Sequence, residues 1–185
     1  MEKRKEVDLS LFDNSWYKVG GKMKLTAWYF ANLFFIKNRL SVLSSLKVSV
    51  IKMFGGKVGK NVVIKPGVNI KFPWLLTIGD NVWIGEGVWI DNISNVIIED
   101  NVCISQGAML LCGNHNYKKK SFDLIIGDIR IERGAWVGAR ATVCPGVTIH
   151  THAVLTVGSV ATGDLDAFNI YSGVPATVIR KRVID

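Results

Sequence analysis

The sequence lacks the features that cross-link a chain or anchor it across a membrane. Only three of its 185 residues are cysteines, an odd number without a CxxC spacing. We therefore expect reduced thiols in a cytosolic setting and no disulfide framework. The longest apolar run, residues 25–36, covers about 12 residues, whereas a bilayer-spanning helix needs roughly 20. No transmembrane segment is predicted, and the acidic residues Glu2, Glu6 and Asp8 argue against a secretory signal.

Acidic residues are scarce relative to basic ones, which leaves a formal net charge of +8. This balance suits a polyanionic partner such as a nucleotide-type cofactor, an anionic glycan or a membrane face, although a solvated basic surface explains it equally well. At 49% hydrophobic residues, the chain can fill a core. Its length favours one domain with a short extension.

The most regular feature is an aliphatic residue at every sixth position. Neither a helix nor a simple strand has this period, which is typical of a β-solenoid built from hexapeptide repeats. Fourteen of the 15 residues in the series are Ile, Val or Leu: Val58, Ile64, Ile70, Ile78, Ile84, Ile90, Ile98, Ile104, Leu110, Ile131, Val137, Val143, Ile149, Leu155 and Ala161.

A second column of residues stands three positions after each aliphatic and predicts the corners of the coils. Most of its members are Gly, Asn, Asp or His, the types enriched at positive φ. They are Asn61, Gly67, Asn81, Gly87, Asn101, Gly107, Gly134, Gly146, His152, Gly158 and Asp164, with Ile93 and Arg140 as misfits. Each hexad then forms one flat side and one corner, and three sides close a triangular coil. We expect about five coils.

Three expansions interrupt the repeat, and all follow the third side of a coil. They contain Trp74, Asn92 and, in the longest, the loop 112–128 around His115. Stacked coils would align them on one edge of the prism, where loops on a rigid scaffold often carry function. The alternative is an edge that merely tolerates insertions.

Two outward faces carry Trp83, Trp89 and Trp136, which predicts subunit contacts there.

The ends of the chain depart from the repeat. We expect residues 1–55 to form an arm and capping helices, residues 56–168 the β-helix with its inserted loop, and residues 169–185 a tail. The helices would cover the open first coil. A second interpretation is docking on an anionic membrane through Arg39, Lys47 and Lys52 with the aromatic cluster 28–30.

The hexads, with their two columns in phase, resemble the repeats of the hexapeptide acyltransferase superfamily, which form a left-handed β-helix. The left-handed winding expected for this chain comes from that resemblance. Residues 111–117 (LCGNHNY), a loop and residues 131–138 (IERGAWVG) are similar to the colanic-acid-type polysaccharide O-acetyltransferases, and more distantly to maltose and galactoside acetyltransferases. Residues 173–176 (GVPA) resemble the terminal signature of the acetyl-CoA-dependent branch. The resemblance spans roughly residues 25–182.

The resemblance implies a homotrimer with acetyl-CoA bound between subunits and His115 as the general base. The acceptor edge would carry Trp74, Asn92, Asn114, Asn116 and Tyr117. Cofactor contacts would come from Trp136, Ala139, Val157, Thr162, Arg180 and Lys181. Gly163 stands where the family often has a lysine that follows the threonine, which leaves phosphate recognition to Arg180, Lys181 or Arg182. Gly85 stands where galactoside enzymes have an acceptor-binding asparagine.

The predicted function is acetyl-CoA-dependent transfer of acetyl to a sugar hydroxyl in surface-polysaccharide biosynthesis. The hydroxyl would attack the thioester directly, with no metal and no nucleic-acid partner. We expect a cytoplasmic protein, with peripheral contact at the inner membrane as a second option. The alternatives are an N-acetyltransferase of an amino-sugar nucleotide and a non-catalytic scaffold. A zinc site of His115, His150 and His152 is disfavoured, because the spacing of zinc-binding relatives is absent.

Overall fold

A computed structural model describes residues 6–185 as a three-sided parallel β-helix with a helical cap. Short strands of successive coils stack in register, with the backbone N–H groups of one coil donating to the carbonyls of the next. The three faces are called A, B and C in the order in which the chain visits them. Five coils are complete, and a sixth is begun by Leu165 and the strand that follows it.

The strands are mostly two or three residues long, because each side of the prism holds only one hexad. Face A contains Lys57–Val58, Leu76–Ile78, Val96–Ile98, Ile129–Ile131 and Thr148–Ile149. Face B contains Val63–Ile64, Trp83–Ile84, Cys103–Ile104, Trp136–Val137, Val154–Leu155, Asn169–Gly173 and Ala176–Lys181. Face C contains Asn69–Ile70, Trp89–Asp91, Met109–Leu111, Thr142–Val143 and Val160–Ala161.

The predicted inward aliphatics form the core. On face B, for example, Ile64, Ile84, Ile104, Val137 and Leu155 follow one another in direct register and are all fully buried. All 15 members of the series are buried. Because like residues stack on like at the normal strand spacing of about 4.8 Å, the core is a set of aliphatic columns.

The corners follow the sequence prediction with one correction. Eleven corner residues adopt positive φ, including Arg140 at 56°, whose residue type did not fit the column. The backbone path that closes each coil therefore overrides the residue preference there. Asp164, which we expected at positive φ, does not adopt it. Its carboxylate accepts a hydrogen bond from the Thr148 N–H at 2.7 Å instead.

The cap is made by helix α1 (Lys22–Ala31), a π-helical turn (Asn32–Ile36) and helix α2 (Ser44–Met53). Its inward residues cover the first coil. The Trp28 indole donates to the Ile70 carbonyl at 3.0 Å, and Lys47 is fully buried with Nζ bonded to the carbonyls of Ile64 and Lys65. Neither Trp28 nor Lys47 is therefore free for the membrane contact considered above. No helix within residues 6–185 is long and apolar enough to cross a bilayer.

The two terminal segments both pack on the β-helix. The arm, residues 6–21, contains a short 3-10 helix (Leu9–Leu11) and lies back against the β-helix. Residues 1–5 of the predicted arm lie outside the described part. The expected tail forms an antiparallel hairpin, Asn169–Gly173 with Ala176–Lys181, which extends face B beyond residue 168. Its turn contains a cis peptide bond before Pro175.

Candidate active site

His115 lies at the end of the first strand of a hairpin that projects from the corner between faces C and A. The hairpin pairs Gly113–His115 with Leu124–Ile126 and fills the predicted loop 112–128. Nδ1 of His115 lies 2.9 Å from the carbonyl oxygen of Phe122. A carbonyl only accepts, so Nδ1 of the neutral ring carries the proton and Nε2 has a free lone pair. His115 is thus held in the tautomer that a general base at Nε2 requires.

Two phenylalanines fix the plane of the His115 ring. The Phe122 ring stacks on it with centroids 4.5 Å apart and planes only 11° from parallel. The Phe12 ring, from the arm, approaches at 5.7 Å with a tilt of 57°. Phe122 adopts a φ of 52°, which is rare for an aromatic residue and turns its carbonyl toward the imidazole. One residue therefore both orients and packs the histidine.

Carboxylates fasten the hairpin at its turn and at its base. Asp123 binds Ser121 and Lys119, and these hydrogen bonds hold its pKa below the ordinary value. At the base, Asp128 binds the Ser94 hydroxyl and the Asn95 backbone N–H. Partial burial alone would raise the pKa of Asp128, but the hydrogen bonds from Ser94 and Asn95 outweigh it and the pKa is lowered. The hairpin is therefore anchored to the insertion of the preceding coil.

The arm runs along the same corner and ties it together. Asp8 forms an ion pair with Lys120, and the Tyr17 hydroxyl donates to the carbonyl of Ile93. Partial burial, with the nearby charge of Asp91, raises the pKa of Tyr17 to about 12, so the phenol remains a donor. At the cap end, the Lys24 ammonium lies 4.1 Å over the Trp74 ring. The arm thus reaches from the His115 hairpin to the cap.

Three of the five predicted acceptor residues surround His115. Asn114 accepts a hydrogen bond from the His115 backbone N–H at 2.8 Å and is exposed, Asn116 is half-buried, and Tyr117 is 72% exposed. The prediction for Asn92 is wrong. Its side chain is fully buried, and its amide bonds both the N–H and the carbonyl of Phe72, so it braces the corner.

Trp74 is also placed away from His115, at the first of the three insertions and two coils nearer the cap. Its ring stacks on Phe72 at 5.3 Å and carries Lys24 above it. Its indole N–H is buried and has no hydrogen-bond partner among residues 6–185. Trp74 therefore lies where the arm joins the cap, about 10 Å along the prism from the His115 level.

The predicted cofactor residues are spread over the last two complete coils and the terminal hairpin. Ala139 and Val157 lie in consecutive coils at the corner between faces B and C, where the Gly158 N–H donates to the Ala139 carbonyl. Trp136 is exposed on face B and Thr162 is exposed after the last strand of face C. Arg180 and Lys181 are exposed on the hairpin. Face C separates the Ala139 corner from His115, so one chain does not bring the two sets together.

Arg182 does not join the cofactor residues. Its guanidinium donates to the carbonyls of Gly134 and His152 at 2.9 and 3.1 Å. This arginine therefore pins the terminal hairpin to the coils, whereas the side chains of Arg180 and Lys181 are exposed.

The other reactive side chains have no comparable setting. Burial raises the pKa of the Cys112 thiol to about 12 and raises those of Cys103 and Cys144 as well, so none is activated as a nucleophile. His150 faces Glu132 at 3.3 Å, and the His152 ring meets the Phe168 ring with centroids 4.9 Å apart and a tilt of 37°. Both histidines lie beside the corner between faces A and B. That corner is not the one that carries His115.

Sequence reasoning missed Phe12 and Phe122, which do most to position His115. Neither has a period or a motif that could have indicated its role. Phe122 is the single aromatic in the second half of a charged loop, and Phe12 lies about 100 residues earlier in a polar arm. Only the fold brings them to the same ring.

Comparison with known proteins agrees with the fold. No protein-family model matches the chain. The chain is 33% identical over 167 residues, 90% of its length and 92% of the relative's, to WcaF of Escherichia coli (strain K12), whose name assigns it to colanic acid biosynthesis as an acetyltransferase. A hexapeptide-repeat-containing acetyltransferase from Vibrio cholerae matches with a TM-score of 0.78 and 21% identity over 86% of this chain and 91% of that one. A galactoside acetyltransferase in complex with coenzyme A matches with a TM-score of 0.76 and 26% identity over 86% and 80%.

A three-sided parallel β-helix built from hexads is the fold of a hexapeptide-repeat protein. The chain belongs to the hexapeptide-repeat acetyltransferases, and it is an acetyltransferase with a left-handed parallel β-helix. Within that family its similarity to the colanic acid relative covers nearly the whole chain. The predicted family and fold class are both confirmed.

Proposed function

We propose that this chain transfers acetyl from acetyl-CoA to a sugar hydroxyl in surface-polysaccharide biosynthesis. The observation that carries the proposal is the hydrogen bond from Nδ1 of His115 to the Phe122 carbonyl, which leaves Nε2 free as a base. The relative WcaF, named for colanic acid biosynthesis, supports the polysaccharide context. The galactoside acetyltransferase supports a sugar acceptor.

In this proposal Nε2 of His115 takes the proton of the sugar hydroxyl while the hydroxyl oxygen bonds to the carbonyl carbon of the thioester. A backbone N–H near the hairpin or the adjacent coil stabilises the oxyanion. The imidazolium then gives the proton to the departing thiolate as the carbon–sulfur bond breaks, which yields an acetyl ester and a free thiol. Phe12 and Phe122 keep the ring in place throughout, and no cysteine takes part.

The residues predicted to hold acetyl-CoA fit that ligand. The Ala139 and Val157 backbone N–H groups donate to no backbone oxygen within residues 6–185, and they lie one above the other at an exposed corner. Two free amides in line suit the amide carbonyls of a pantetheine arm. Exposed Arg180 and Lys181, together with Thr162, supply charge and polarity for the nucleotide end.

The proposed site needs a second copy of the chain, because face C separates His115 from the Ala139 corner. Trp83 and Trp136 on face B and Trp89 on face C are 63%, 46% and 40% exposed, which a lone chain would leave in water. We therefore propose a homotrimer in which the His115 hairpin of one subunit faces the cofactor corner of its neighbour. The three unpaired thiols fit a reducing compartment, so we place the trimer in the cytoplasm.

His115→Asn tests the mechanism, because the Asn amide can still donate to the Phe122 carbonyl but offers no base. We expect kcat/KM for acetyl transfer to a glycan acceptor, followed as thiol release, to fall by about 10²–10⁴-fold with CoA affinity retained. His150→Asn is the matched control, since it removes a surface histidine beside another corner. Near-normal turnover by His115→Asn would remove the histidine from the mechanism.

The same assay separates the rival functions. Faster acetylation of amino-sugar nucleotides than of hydroxyl acceptors would favour an N-acetyltransferase. Failure of the wild-type protein to bind or hydrolyse acetyl-CoA at any pH would favour a non-catalytic scaffold.

A further inference from the structure

The outer side of the cap exposes a continuous apolar surface. Phe30 stacks on Phe34 with ring centroids 6.5 Å apart and meets Tyr29 edge-on at 5.4 Å. Phe34 also lines a shallow groove with the residues of the turn and the start of α2. The cap surface comprises Tyr29, Phe30, Phe34, Phe35, Leu40, Val42, Leu43 and Leu46, all of them more than 40% exposed.

These side chains are not needed to close the first coil. That task is done by the inward residues of the same helices, among them Trp28, Ile36, Lys47 and Ile51, which are 3% exposed or less. Eight large apolar side chains turned away from the core form a patch of the kind that marks an interaction site. Leu40 and Val42 protrude furthest, at 87% and 68% exposed.

The cap and the first coil carry charged residues of one sign only. Residues 14–79 contain no aspartate or glutamate and hold eleven lysines and arginines: Lys18, Lys22, Lys24, Lys37, Arg39, Lys47, Lys52, Lys57, Lys60, Lys65 and Lys71. Lys37 and Arg39 are exposed in the turn that carries Leu40, so basic and apolar groups lie side by side at the tip of the cap.

A partner for this surface must accept both aromatic side chains and positive charge. Isologous contact with a second copy would bring two sets of Lys37 and Arg39 into one interface, where like charges repel. A soluble polyanion would leave Leu40 and Val42 in water. Anionic lipid headgroups above an acyl layer satisfy both needs, and a ten-residue helix is about 15 Å long, enough to lie in the interface but not to span it.

We propose that the cap surface docks on the interface of an anionic lipid bilayer, with Lys37 and Arg39 among the headgroups and Leu40 and Val42 in the acyl boundary. This inference stands independently of the acetyl-transfer chemistry. If the chain forms the parallel trimer proposed above, its three caps lie at one end and can engage one membrane together, which raises the avidity.

Co-sedimentation of the full chain with vesicles tests the proposal. We expect binding to vesicles of phosphatidylcholine and phosphatidylglycerol in equal parts, and much weaker binding to phosphatidylcholine alone. Arg39→Glu should weaken binding to the anionic vesicles by roughly fivefold or more. Arg133→Glu, the same charge change at an exposed arginine of the fourth coil, should have little effect.

A second pair of variants tests apolar insertion. Leu40→Ser should weaken vesicle binding by roughly tenfold. Val183→Ser, which changes an equally exposed aliphatic residue in the C-terminal segment, should not. The proposal is overturned if anionic vesicles do not bind the protein or if each variant behaves like its control. It is also overturned if Leu40→Ser lowers the mass measured by light scattering, because the cap surface would then be a contact between subunits.

Discussion

The two corners that flank face A are built in different ways. The corner between faces A and B repeats one solution in every coil, with Asn61, Asn81, Asn101, Gly134 and His152 all at positive φ. At the corner between faces C and A, the first three turns have no conformation in common. This corner is assembled from three unlike insertions and the arm, and it carries His115. The regular corner holds the prism closed, whereas the irregular one gathers side chains that are distant in sequence.

This difference sets how substitutions should act. In the regular body, a side chain is supported by equivalent residues above and below it, so its loss should reduce stability and activity together. At the irregular corner, the contacts described above position the His115 ring or hold one strand of its hairpin. Substitutions there should reduce activity while the β-helix stays folded.

The largest expected effect on stability lies in the body. Ile104 is fully buried between Ile84 and Val137 on face B. Ile104→Ala leaves a cavity in an aliphatic column, and we expect the free energy of unfolding to fall by about 2–5 kcal/mol. Urea denaturation followed by circular dichroism measures the change. If Ile104→Ala lost activity without losing stability, substitutions in the body would act like those at the irregular corner, and the distinction between the two regions would fail.

An intermediate effect is expected from Phe122→Ala, which removes the ring stacked on His115 but keeps the backbone carbonyl. The less constrained imidazole should lower kcat by roughly tenfold, or about 1.4 kcal/mol in activation free energy. The melting temperature should stay near that of the wild type, and KM for the acceptor should change less than kcat. Phe168→Ala is the control, since it removes the ring beside His152 at the regular corner. Equal losses of kcat in the two variants would contradict a special role for Phe122.

The smallest effect concerns the base of the hairpin and its dependence on pH. The pKa of Asp128 is lowered in the folded chain from an ordinary value of 3.8. The stabilisation from its bonds to Ser94 and Asn95 is therefore present above pH 3.8 and is lost as the pH falls through the folded-state pKa. The protection factor of the Asn95 amide, which compares its hydrogen exchange with that of an unstructured amide at the same pH, should fall as the wild type is acidified below pH 3.8. In Asp128→Asn the protection factor should be low at all pH values. Strong protection in the variant would show that the carboxylate does not hold the base.

Much of the body could be predicted from sequence because it depends on residues in fixed phase. The inward aliphatics and nearly all corners lie where the hexads place them. Arg140 shows the limit in one direction, because a closed coil imposes positive φ on a residue that disfavours it. Asp164 shows the opposite limit, since its side chain instead caps the Thr148 N–H at the last coil.

The irregular corner could be predicted only in part. The break in the repeat indicates where the hairpin leaves the prism and that it carries His115. The burial of Asn92 and the packing of Phe12 on His115 follow from contacts that leave no period in the sequence. Lys47 is a similar case in the cap, since a lysine between apolar residues gives no sign that two carbonyls will bury its ammonium.

The proposed mechanism depends most on the tautomer of the His115 ring, which can be measured directly. Ring nitrogen chemical shifts from ¹⁵N NMR, assigned by the loss of one histidine signal in His115→Asn, distinguish the two neutral tautomers. The structure predicts a protonated Nδ1 and an unprotonated Nε2 for His115. A proton on Nε2 of the neutral ring would mean that the Phe122 carbonyl does not hold the imidazole, and His115 could not then be the base described here.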